Sequence, residues 1–190
     1  NEHPGYFLKH SSTINGLNTK DGKIFPLGGI SNQVMIPDNE SGYWNTYKLD
    51  QFGFHNPKDI YQNNKIDIVM TGDSATEGWS VKSDENISAV LRKSGFNIVN
   101  IGKAGNGPLL ELATLKEYGK PLKPQIVLWQ FHDNDIVDLK REMRSDVLQK
   151  YLIEDDFSQN LISRQKEIDH ALINYVQEEW KKRINENTNI

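Results

Sequence analysis

Ile66-Asp67-Ile68-Val69-Met70-Thr71-Gly72-Asp73-Ser74 is the stretch whose reading decides the fold. An apolar run of strand length stops at a glycine, and a serine follows two residues later. Such a run reads as a strand buried on both faces, as in a parallel sheet. Downstream, residues 84–94 read as a helix with Ser83 or Asp84 as its cap and Gly95 as its end. Residues 97–101 form a second apolar run. A glycine-rich loop, Gly102 to Gly107, then leads to Pro108, which suits a first helical position. Leu109, Leu112, Ala113 and Leu115 share one face of that helix, closed by Gly119 and Pro121. Residues 125–131 read as a third buried strand, and residues 135–151 and 159–185 as two amphipathic helices. Parallel neighbours need a crossover, and the crossover is a helix, so this alternation predicts a three-layer α/β domain.

Upstream, residues 1–65 carry turn signals at Asn15-Gly16, Asp21-Gly22, Gly28-Gly29 and Pro37-Asp38. They read as an irregular, β-rich segment packed on the domain formed by residues 66–190. Tyr43, Trp44, Tyr47, Phe52 and Phe54 are expected to pack as an apolar layer, with a glycan-binding surface as the alternative.

Composition narrows the function classes. A formal net charge of −4 with 25% charged residues leaves no basic footprint for nucleic acid or an anionic membrane surface. The absence of Cys excludes disulfides and thiolate chemistry and leaves the compartment open. No apolar run reaches the roughly 18 residues of a spanning helix, and the start lacks the pattern of a signal peptide. The chain opens on Asn1 rather than Met, which reads as a processed or excised piece.

In parallel sheets ligands bind beyond the carboxyl ends of the strands, so three loops matter. The first, Gly72-Asp73-Ser74-Ala75-Thr76-Glu77-Gly78, presents a hydroxyl on a rigid mount. Thr76 stands where the nucleophile elbow of α/β-hydrolases has its second glycine, so that elbow is absent. The second, Gly102-Lys103-Ala104-Gly105-Asn106-Gly107, precedes a helix N-terminus whose N–H groups could hold an oxyanion or phosphate. It matches neither the P-loop nor the dinucleotide fingerprint. The third, His132-Asp133-Asn134-Asp135, ends the third strand; its bland alternative is a helix cap. Together a Ser, a Gly-rich backbone and an Asn can surround one reacting carbonyl.

On these motifs, residues 66–138 resemble the SGNH (GDSL-type) hydrolase superfamily. The resemblance implies a flavodoxin-like parallel sheet and an ester hydrolase or acyl-transfer activity. It assigns Ser74 as nucleophile and backbone oxyanion donor, and Gly105 and Asn134 as the other oxyanion-hole groups. It implies a small-molecule or carbohydrate ester substrate, no metal and no cofactor. Residues 105–118 and 139–172 look similar to a bacterial branch whose members often carry an envelope anchor, which would lie outside this chain. Ala75 departs from the bulky residue common after the Ser, and Asp133 from the Gly common before Asn-Asp. Asp133 adds an anion that opposes charge developing in an oxyanion hole.

The base is the missing part. SGNH enzymes draw it from an Asp-x-x-His motif near the end of the domain, and none of His3, His10, His55, His132 or His170 has that context. His132 alone is expected at the carboxyl edge of the sheet, where it reads as a loop histidine, with a substitute base beside Asp133 or Asp135 as the alternative. His170 reads as part of a solvated helix face. The family's last strand and helix, with the base, are expected beyond Ile190. Glu77, Asp133, Asp135 and Asp138 read as caps and solvated acids rather than a metal site. Asn39-Glu40-Ser41 and Asn86-Ile87-Ser88 fit glycosylation acceptors by pattern alone. The rival classes are a non-catalytic binder that uses the same pocket and an interaction module.

Overall fold

The computed structural model describes residues 16–37, 42, 44–62 and 65–187. It is a mixed α/β fold around a three-stranded parallel sheet flanked by helices. Two short hairpins precede the sheet. Strand β1 (Leu17–Thr19) pairs antiparallel with β2 (Gly22–Ile24), and β3 (Val34–Met35) with β4 (Tyr47–Lys48). Gly16 and Gly22, at φ of +72° and +110°, take the positive backbone angles that the first hairpin needs.

Strand β5 (Ile68–Thr71) is central. It pairs in parallel with β6 (Ile98–Asn100) on one side and β7 (Ile126–Trp129) on the other, in the order β6-β5-β7. All of β5 and β6 is buried. The period of two sends Val69 and Val99 to one face, where they meet Leu109, Leu110 and Ala113 of α3 (Pro108–Thr114). Ile68, Met70 and Ile98 face the other way, against Leu91 of α2 (Ile87–Lys93). A one-turn helix, α1 (Ser74–Glu77), follows β5 directly.

The expected cap of α2 is corrected: the helix begins after Asn86, whose side chain accepts the Ala89 N–H at 2.8 Å. Asn86 is 2% exposed and also accepts the Ser88 hydroxyl, so it is a buried cap and no glycan acceptor. Asn39 of the other pattern lies outside the described residues, as do Tyr43, His3 and His10. The helix expected over residues 135–151 is two, α4 (Asp135–Glu142) and α5 (Asp146–Ile153). The break falls where Ser145 caps α5 and the Glu142 carboxylate turns to the start of α3. Helix α6 (Gln165–Asn187) begins six residues later than expected, after turns over residues 161–164.

The third strand is also corrected. β7 is at the sheet edge, with Ile126 50% and Trp129 44% exposed. The upstream segment packs as expected for Tyr47, Phe52 and Phe54; Tyr47 stacks on His55, while Phe52 and Phe54 meet Tyr118. Trp44 is 59% exposed.

Candidate active site

The three loops leave the carboxyl ends of three adjacent parallel strands. Asp73 caps α1 by accepting the Ala75 N–H at 2.9 Å, which fixes Ser74 as the first helical residue after the central strand. Ser74 is half-buried, and among the described residues its hydroxyl makes no hydrogen bond. It lines a cavity of about 370 Å³ together with Trp79, Ser80, Asn86 and Ile87.

Thr76 is the residue that sequence reasoning passed over. Its side chain fills the gap between two strand ends: a Cβ on Gly72 would lie 2.0 Å from Thr76 Oγ1, and one on Gly102 2.5 Å from Thr76 Cγ2. The Thr76 hydroxyl donates to Gln130 Oε1 at 2.7 Å, and the Asn100 amide donates to the Thr76 carbonyl at 2.5 Å. Through its hydroxyl and its carbonyl, Thr76 thus ties the Ser74 loop to the ends of the other two strands. The signal was present in sequence, as a glycine at the end of each of two strands, but its meaning needed the third dimension.

The Gly102–Gly107 loop is held from beneath. Glu77, fully buried, accepts the Ala104 N–H at 2.6 Å, the Lys103 ammonium at 3.2 Å and the Tyr47 hydroxyl at 3.1 Å. Glu77 is therefore neither a cap nor a solvated acid, and Lys103, 2% exposed, points into the protein. Gly105 has φ of +81°, and its carbonyl accepts Arg141 Nη2 at 3.2 Å. The helix N-terminus that could hold an oxyanion or phosphate is already occupied: Glu142 accepts the N–H groups of Gly107, Leu109 and Leu110. Burial raises the Glu142 pKa in spite of those donors.

On the third loop His132 is partly exposed. Its Nε2 lies 3.2 Å from Gln130 Nε2 and 3.7 Å from Asp73 Oδ1. Since the Gln130 carbonyl already accepts Thr76, its amide donates to the imidazole. His132 is oriented toward Asp73 and Gln130, and no hydrogen bond joins it to Ser74. Asp133 is exposed. Asn134 is exposed too; its amide donates to Asp138 Oδ2 at 3.1 Å, and its side chain caps no helix. Asp135 is fully buried, accepts the His132 N–H at 2.8 Å and has its carboxyl pKa raised by burial, so it is not a solvated acid. Below it, burial pushes the Glu111 carboxyl up to about 7, against the Trp129 indole N–H that donates to it at 2.5 Å. Among the described residues no group of His, Asp and Glu is arranged to hold a metal ion. His170, on α6, is exposed and remote in sequence from all three loops.

The chain has no significant match among family models, curated proteins or solved structures.

Proposed function

We propose that this chain is the nucleophile-bearing part of an SGNH-type, flavodoxin-like α/β/α ester hydrolase or acyl-transfer domain. Ser74 attacks the ester carbonyl, and the oxyanion is held by the Ser74 N–H, Gly105 and Asn134. The observation that carries this reading is the placement of Ser74 as the first residue of a helix at the end of β5. The order β6-β5-β7 supports it, because the two strands that follow β5 in the chain flank it on opposite sides, and ligands of open α/β sheets bind beyond the carboxyl ends of strands where the order reverses in this way. An Asn134 amide bonded only to a neighbouring carboxylate can turn to a developing oxyanion at the expense of one exposed hydrogen bond.

A second reading, a non-catalytic binder built on the same loops, is favoured by one observation: the Ser74 hydroxyl makes no hydrogen bond to a base among the described residues. A serine-reactive fluorophosphonate decides between the two. Labelling at Ser74 that disappears in Ser74→Ala is expected for the enzyme; a folded chain, and the same chain extended downstream, that both leave Ser74 unlabelled would overturn the enzymatic reading.

A further inference from the structure

A different serine in this chain does have a histidine. His55 is 4% exposed, and its Nδ1 lies 2.8 Å from the Glu77 carbonyl oxygen. A carbonyl only accepts, so Nδ1 carries the proton and Nε2 presents a lone pair. That lone pair faces Ser83 Oγ at 3.0 Å, and the serine hydroxyl must be the donor. The imidazole cannot swing away, because it stacks on Tyr47 with ring centroids 3.7 Å apart and planes 11° apart. Burial lowers the pKa of His55, which keeps the ring in its basic form at neutral pH. Ser83 itself is exposed.

Nucleophile, base and an orienting acceptor are the three parts that activate a hydroxyl. The pair opens into a cavity of about 370 Å³ whose lining includes Lys48, Lys58, Asp84, Arg92 and Lys93. Lys93 is engaged with Asp84, whose carbonyl it meets at 2.7 Å and whose carboxylate at 3.8 Å. The Arg92 guanidinium is fixed by the Ile98 carbonyl and Asn56. With Lys93 and Asp84 offsetting one another, Lys48, Lys58 and Arg92 give the cavity a positive field.

We infer that Ser83 and His55 form a second acyl-accepting site, selective for esters that carry a negative charge. Ser83 Oγ attacks the ester carbonyl carbon while its proton passes to His55 Nε2. The tetrahedral adduct expels the alcohol oxygen, which takes that proton back, leaving acyl-Ser83 and free alcohol. Water, deprotonated by the same Nε2, then cleaves the acyl–Oγ bond and restores the Ser83 hydroxyl with release of the acid.

The test is a fluorophosphonate reaction on the whole chain with the adduct located by peptide mass spectrometry, so that Ser83 and Ser74 are read separately. The expected result is an adduct on Ser83, absent in Ser83→Ala and formed roughly 10²-fold more slowly in His55→Gln, which keeps a donor for the Glu77 carbonyl. Should that buried variant fail to fold, the wild-type chain in denaturing urea serves instead, and there labelling of Ser83 must collapse. No Ser83 adduct on the folded chain overturns the proposal, as does an equal rate in urea or in folded His55→Gln. For charge selectivity, the para-nitrophenyl half-ester of suberate, whose carboxylate is too distant to attack its own ester, should be cleaved several-fold faster than para-nitrophenyl hexanoate in Ser74→Ala, each rate taken above that without protein. Lys48→Gln with Lys58→Gln should erase that preference, and equal rates in the parent would refute it.

Discussion

Glu77 and Glu111 are both fully buried carboxyls, yet their neighbours differ. Glu77 has Lys103, Tyr47 and the Ala104 N–H, so its charge is compensated. Replacing Lys103 by Met strips away the opposite charge, and the expected cost is about 3–5 kcal/mol in urea denaturation. Removing both charges, in Lys103→Met with Glu77→Met, should recover a large part of that loss. Glu111 has one indole donor, and burial holds its carboxyl at about 7 against an ordinary value of 4.5. A raised carboxyl stabilises the fold below the unfolded value and ceases to do so as pH climbs through the folded one. Relative to Glu111→Gln, the wild-type chain should therefore lose stability between about pH 4.5 and 7 and stay level above. The full span corresponds to about 3 kcal/mol. Equal slopes for the two proteins in denaturation midpoints against pH would refute it.

Helices and strands were legible where their period was strong. β5 and β6 fall within the predicted runs, because a short apolar segment closed by a glycine has few alternatives. The 135–151 segment reads as one helix because its apolar spacing continues across the break, from Leu139 and Met143 to Val147; the break is marked locally by the Ser145 cap and by a contact that no local pattern encodes, Glu142 to the α3 N-terminus. β7 was misjudged for a related reason. Its residues have the composition of a strand covered on both faces, and burial depends on a neighbour that periodicity cannot supply. An uncharged edge with Ile126, Val127, Leu128 and Trp129 exposed is a template for strand pairing. Sedimentation velocity should show concentration-dependent association of this chain, reduced by Leu128→Lys on the edge. A monomer at all concentrations in both would exclude edge pairing.

At the scale of the molecule, the upstream segment and the sheet share one core. Ile24, Phe25, Leu27 and Phe54 are buried in the same cluster as Val69, Leu110 and Tyr118. Polar staples reinforce it: Gln159 accepts the Phe25 N–H and donates to its carbonyl, and the Asp169 carboxylate accepts the Ser31 N–H and hydroxyl. Residues 66–190 alone should therefore show no cooperative thermal transition by circular dichroism, whereas the whole chain shows one; a sharp transition in the fragment would prove it autonomous.

By itself the sequence determined the alternation of strands and crossover helices and the identity of the three loops at the strand ends, because period, glycine and proline act over a few residues. It also singled out Ser74, Gly105, His132 and Asn134. Only the tertiary structure decided that Glu142 fills the helix N-terminus, that Thr76 locks the loops together and that His55 meets Ser83. Those contacts join residues far apart in the chain, and side-chain pairing at such separations is set by packing rather than by local pattern.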